Sequence, residues 1–227
     1  MFAAQALAVL LLLIAFLLFL LVSLSVPIIK SIYLFKLVAD VSSSLFNASA
    51  KGSARFGVWG YCLSAVDVSV VGIDHDTDAQ CSRTHLGYTF DSTVAKALHV
   101  NGIEDTISRT LTAVLVLHPI VCGFTFLALL SILFFRVRGS TRGTAICAVL
   151  TTILAAILAT IVFVIDIAGV YVARGKVNDE TDGAIHMSPG NAVWMTLGAT
   201  ISLWLAFVAV WIGVLVGRRR PRSTDKY

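Results

Sequence analysis

The sequence predicts an all-α membrane protein, a bundle of four spanning helices with a small β-rich region in the loop between the first two. Three observations predict it. Four hydrophobic runs are each long enough to cross a bilayer, positive charge gathers in short clusters beside them, and β-prone residues crowd into one long polar interval. With 58% hydrophobic and 13% charged residues among 227, the chain is far too apolar for a soluble domain. Its mean hydropathy is +0.90. A net charge of +4 could suit nucleic acid, but charge placed at the ends of apolar runs orients a chain in lipid instead. No nucleic-acid partner is expected; the bilayer is.

The first span occupies residues 1–26. Its core, Ala6 to Val26, carries no charge and matches the ~20 residues needed to cross ~30 Å of hydrocarbon. A cleaved signal peptide is the competing reading. The run lacks a basic leader and its apolar core exceeds the usual ~7–15 residues, so a retained span is expected. Pro27 ends that helix or opens the next segment. An external loop follows at 27–110, then a second span at 111–135, a short loop at 136–143 and a third span at 144–173. A second external loop fills 174–191, a fourth span 192–217 and a basic tail 218–227.

Charge sets the expected orientation. The 136–143 loop holds Arg136, Arg138 and Arg142 with no acid, and the tail holds Arg218, Arg219, Arg220, Arg222 and Lys226 against Asp225 alone. The 174–191 loop balances Arg174 and Lys176 with Asp179, Glu180 and Asp182. By the positive-inside rule both termini are expected in the cytoplasm and both larger loops outside.

Within the first loop, Arg55-Phe56-Gly57-Val58-Trp59-Gly60-Tyr61-Cys62 reads as a half-buried strand, with Phe56, Val58 and Gly60 on one face and Gly57, Trp59 and Tyr61 on the other. Cys62 and Cys81 are the only cysteine pair this loop can make, and an oxidising exterior favours their bridge. Two thiols, or a bridge to a partner, are the alternatives. Asp74, His75, Asp76, Asp78 and His85 lie near Cys81 in no defensible ligand spacing, so a solvated acidic turn is expected and no metal. Asn47-Ala48-Ser49 is a glycosylation acceptor motif, placed outside by the topology. Val66 to Ile73 is β-rich and is expected to pair with a Gly57–Leu63 strand. Asp91-Ser92-Thr93 could cap a short helix through His99.

Here the residues carry a resemblance. Gly57-Val58-Trp59-Gly60-Tyr61-Cys62 followed by Cys81, in the first loop of a four-span chain, resembles the Gly-Leu-Trp-x-x-Cys…Cys signature of the claudin-like superfamily. Arg109, at the outer end of span two, resembles the arginine those proteins carry there. More closely, the chain resembles the fungal PalI family, through Phe56 to Cys62, Leu86-Gly87-Tyr88, Phe163-Val164-Ile165-Asp166-Ile167-Ala168 and Gly190-Asn191-Ala192-Val193-Trp194. The loop cysteines are farther apart than the claudin pair, which implies an altered hairpin. The tail after Val216 is also short where PalI carries a long cytoplasmic extension. The resemblance implies a left-handed bundle topped by a small disulfide-held sheet, in a plasma-membrane protein that assists ambient-pH sensing or organises membrane domains. Trp59 is then expected as a packing anchor beneath that sheet.

Asp166 is the one acid inside a span, and such residues are usually functional or paired. It precedes Arg174 by eight residues and His118 follows Thr110 by eight, so at 1.5 Å per residue both lie ~12 Å below the outer surface on antiparallel spans. They are expected to meet as a hydrogen-bonded or titrating pair. A purely structural pair, or Asp166 bonded to Arg109 or to backbone, is the alternative. Pro119 is expected to kink span two.

Gly213 and Gly217 form a GxxxG, suited either to a partner helix or to packing within the bundle. Trp194 fits the outer aromatic belt, while mid-span Trp204 packs on lipid or neighbours. The arginines from Arg218 to Arg222 suit anionic lipid or a plain stop-transfer anchor. The chain has no phosphate-cradling glycine loop, GxSxG or HExxH, so neither enzymatic activity nor a cofactor is expected. Two function classes remain. One is an accessory to a membrane receptor in ambient-pH signalling; the other is a self-associating organiser of membrane domains or the cell cortex.

Overall fold

The computed structural model describes residues 2–43, 48–63, 66–70, 73–77, 80–82, 104–138, 142–180 and 185–218. Asn47, Asp78, His85, the 86–88 stretch, the expected helix through His99, and Arg219, Arg220 and Arg222 lie outside them.

Four long helices are present: α1 (Phe2–Ser23), α2 (Glu104–Arg138), α3 (Arg142–Glu180) and α4 (Asn191–Arg218). Each contains a stretch apolar and long enough to cross a membrane, of 19, 20, 30 and 25 residues in chain order. Helices α2 and α3 outrun the expected spans: α2 begins at Glu104, and α3 continues through Arg174 and Lys176 to Glu180. Hydropathy marks where lipid ends, but helical hydrogen bonding does not stop there. Pro119 lies inside α2, which continues on both sides of it.

The helices are sorted inside out. A seam of buried positions runs along α4 through Ala192, Thr196, Ala199, Leu203, Ala206 and Val210, flanked by buried Val193, Thr200 and Ala209; another runs along α1 through Ala8, Leu12, Ala15, Phe19 and Val22 and is followed by buried Ser23. Both seams alternate steps of four and three, the 3.5-residue spacing that lets helices pack nearly parallel. Most of these residues are small, which brings backbones close where no hydrophobic effect drives association. Many large side chains, such as Leu10, Leu17, Leu150, Ile157 and Leu205, face outward, as an apolar solvent allows.

Contacts gather into two compact units. The first comprises residues 1–20, 119–161 and 196–227 and is helical throughout its described part. Within it, Thr200 Oγ1 donates to Ala159 O (3.4 Å) and Trp204 Nε1 to Thr160 Oγ1 (3.1 Å), tying α4 to α3. Phe16 on α1 and Phe126 on α2 pack with ring centroids 5.3 Å apart.

The second unit comprises residues 21–118 and 162–195 and contains the sheet. Its strands are β1 (Phe35–Ser43), β2 (Ala48–Phe56), β3 (Tyr61–Leu63), β4 (Val66–Val70), β5 (Ile73–Thr77), β6 (Gln80–Cys81) and β7 (Ile185–Pro189). The main order is β5-β4-β2-β1-β7, with β3 pairing β2 and β6, and every pairing is antiparallel. β7 comes from the loop between spans three and four yet pairs with β1, Ile185 opposite Ala39 and Pro189 opposite Phe35.

Two expectations are corrected. The Gly57–Leu63 strand is interrupted: residues 57–60 form a turn, and only Tyr61–Leu63 is β-structure. Val66–Val70 does not pair with it. Both segments lie along the same edge of β2, β4 against Ala48–Lys51 and β3 against Ala54–Phe56, so each occupies β2 rather than the other. The outer neighbours of these two strands are β5 and β6.

The core of this unit is built from Val22, Ile32, Leu34, Val58, Leu115 and Ala192, with Phe35, Phe56, Trp59 and Tyr61 packed against it. Phe35, Phe56 and Tyr61 form one cross-strand row in register, with centroid spacings of 4.6 and 5.7 Å.

Candidate functional site

Two constructions in the second unit gather most of the residues singled out from the sequence. The first is the glycine-flanked turn Gly57–Gly60. Gly57 N donates to Gly60 O (2.8 Å), and Gly60 has φ 150°, a conformation that glycine alone adopts readily. This closed turn lies directly on the chain leaving α1. Val58 N donates to Ser25 Oγ (2.9 Å), Trp59 N to Val26 O (3.3 Å), and the Trp59 indole nitrogen to Ser23 O (2.5 Å). Val58 is fully buried. Gly57 admits no side chain, because a Cβ there would collide with the backbone of Val26. The motif is therefore a latch: close contact with Val26 requires Gly57, the backbone conformation favours Gly60, Trp59 supplies an indole hydrogen bond and Val58 fills the core. Beside it, Cys62 and Cys81 are disulfide-bonded across paired strands. Ser82 adds two further bonds, its Oγ accepting from Tyr61 N (3.0 Å) and its N donating to Tyr61 O (2.9 Å).

A second clasp, unread in the sequence, joins the start of α4 to the same exit segment. Asn191 Nδ2 donates to Ser31 O (2.8 Å), and its Oδ1 accepts from Tyr33 N (3.1 Å). Gly190 N donates to Leu34 O (2.7 Å), and a Cβ on Gly190 would strike the carbonyl of Tyr33. The Arg55 guanidinium lies 5.5 Å from the centre of the Tyr33 ring, within cation–π range. The signal was the Gly-Asn pair opening span four, an ordinary helix-start pattern whose partner lies about 160 residues earlier.

The second construction is buried and polar. His118 Nε2 stands 3.1 Å from Asp166 Oδ2, with side-chain exposures of 0% and 4%. With Nε2–H donating to the carboxylate, the imidazole is fixed in one tautomer. Its other nitrogen, Nδ1, is buried with no hydrogen-bond partner among the described residues.

The remaining residues are not drawn together. Arg109 lies within α2, and its side chain is outside the described residues. Gly213 is buried, and the nearest atom to a Cβ built there is on Gln5 of α1, at 3.8 Å; Gly217 lies one turn further along α4. Trp194 is exposed. Asp74, His75 and Asp76 lie on β5, and no group of three potential metal ligands occurs among the described residues.

Four apolar helices and a disulfide-stapled antiparallel sheet define a multi-pass membrane protein. The profile of the SUR7/PalI family matches residues 4–208, and the chain belongs to that family. No match was found among curated proteins.

Proposed function

We propose that this protein is a non-enzymatic, plasma-membrane regulator that assists a membrane receptor in the response to ambient pH. The observation that carries this is the His118–Asp166 hydrogen bond with its orphaned Nδ1. Histidine is the side chain whose charge ordinarily changes between about pH 5 and 8. Here the ring is buried and its hydrogen bond to Asp166 joins α2 to α3, so the pair links the packing of two spans. The pairing of β1 with β7 supports placing the two larger loops on one side, and the arginine clusters support placing both termini in the cytoplasm. In that orientation Asn47 is available for glycosylation, and the Arg218–Arg222 tail meets the anionic leaflet.

The test compares cells carrying His118→Gln or Asp166→Asn at normal surface levels. Loss of the transcriptional response to external alkalinity in either variant supports the role; a normal response in both removes the pair from the mechanism.

A second reading, a self-associating organiser of membrane domains or the cell cortex, draws on the outer edge of β7, which pairs only with β1 among the described residues. The two readings separate on purification from gentle detergent. A receptor accessory brings a different multi-span protein in fixed ratio, whereas an organiser brings copies of itself.

A further inference from the structure

The first unit has a groove of about 280 Å³ between the beginning of α3 and the end of α4. Ala145, Ile146, Val149 and Leu150 form one wall, and Trp211 and Leu215 stand on the other. The walls are hydrocarbon and aromatic, and the volume sits just under the range of about 300–1,000 Å³ usual for small-molecule sites. It suits a stretch of flexible chain better than a compact ligand.

The helical register adds charge at one end only. Arg142 opens α3 and precedes Ala145 and Ile146 by three and four positions, which puts it on the same helix face. Arg218 closes α4 and follows Leu215 by three positions, on the face that carries Trp211 and Leu215. Both walls therefore run into an arginine position at the same end of the groove. The positive end of the α3 dipole lies there too.

We propose that this groove is a binding site for one anionic phospholipid, whose acyl chain fills the groove and whose headgroup lies between positions 142 and 218. A phospholipid joins a hydrocarbon chain to a phosphate in one molecule, which is the sequence of chemistries the groove presents. The site differs from a diffuse attraction of the basic tail, because it needs Arg142 and the groove walls and does not need Arg219, Arg220 or Arg222. It is also independent of the pH-response reading.

The full chain, purified in mild detergent, is titrated with phosphatidylserine and phosphatidylcholine, and bound lipid is counted by native mass spectrometry. One phosphatidylserine per chain is expected, held about thirtyfold more tightly than phosphatidylcholine, since two basic residues at about 1 kcal/mol each give that ratio. Val149→Trp and Leu215→Trp fill the groove from opposite walls, and either should lower retention at least about tenfold at that energy scale. Should one fail to fold, the other decides. The R142Q/R218Q pair should bring the two lipids to similar affinity, and R219Q/R220Q/R222Q should leave the bound phosphatidylserine in place. Undiminished retention in a folded groove-filled variant, equal binding of both lipids by the unaltered chain, or loss confined to the tail variant would each overturn the proposal.

Discussion

Replacing Gly57 with alanine adds a single carbon, and the structure states what that carbon meets. An ideal Cβ would stand 2.6 Å from Val26 N and 2.7 Å from Val26 Cβ, with the Val26 carbonyl oxygen nearer still. Comfortable carbon contacts begin at about 3.5 Å, so the shortfall approaches 1 Å. Neither partner can yield cheaply. Val26 N donates to Ile32 O (2.9 Å), and Val26 O accepts from Trp59 N (3.3 Å). The turn itself is held by Val58 N on Ser25 Oγ. Relief means overpacking at about 1–3 kcal/mol together with one or more hydrogen bonds at about 1 kcal/mol each. We expect a loss of about 3 kcal/mol, or roughly 6–12 °C in the midpoint of thermal unfolding for a chain of this size. Gly169→Ala is the matched control. Among the described residues nothing beyond its own helix backbone lies within 4 Å of a Cβ built there, and alanine in a helix interior is favoured by up to about 1 kcal/mol. Both variants would be melted in mild detergent with tryptophan fluorescence as the signal. If Gly57→Ala melts with the unaltered protein while Gly169→Ala behaves as expected, the latch is not a tight contact and the reasoning fails.

Other outcomes follow from neighbouring contacts. Ser25→Ala leaves the buried Val58 N–H without its acceptor and should cost about 1–3 kcal/mol by the same melt, whereas Ser25→Thr, which keeps a hydroxyl, should recover part of it. Replacing Cys62 and Cys81 together by alanine opens a cross-link spanning 19 residues and should cost about 3 kcal/mol. Reductant should lower the melting midpoint of the unaltered chain and leave that double variant unmoved. Asn191→Ala removes both side-chain bonds of the clasp to Ser31 and Tyr33, a loss of about 1–3 kcal/mol that should appear as faster amide exchange at Tyr33.

The sequence made some parts of the molecule legible for plain physical reasons. An uncharged run such as Ala6–Val26 has few fates other than a span, and two cysteines in one loop had few partners. His118 and Asp166 could be matched because antiparallel helices share one rise per residue, so equal offsets from the surface mean equal depth. What stayed hidden was of two kinds. Which helix face is inside could not be read from hydrophobicity, since Leu150 and Val162 are both apolar though one is exposed and the other buried. The useful pattern was spacing with size: a 3.5-residue seam in which alanine and threonine alternate with larger side chains such as Leu12, Phe19 and Leu203. Long-range pairing was the other gap. Nothing in Ile185–Pro189 names Phe35–Ala39 as its partner, nor does Ser25 announce that its hydroxyl will hold the amide of Val58. Alternation of side chains identified Val66–Val70 as a strand but could not choose its edge, and the choice fell to β2 and β5.

The pairing of β1 with β7 also has a consequence for biosynthesis. During translation Phe35–Ser43 is made well before Ile185–Pro189, and two membrane crossings are synthesised between them. Until the later strand arrives, one side of β1 offers unpaired amide and carbonyl groups, a liability that cells shield with chaperones. A nascent chain that skips a crossing would deliver β7 to the wrong compartment and leave β1 bare. Pairing of these two strands therefore requires that the two intervening helices return the chain to the side on which it started.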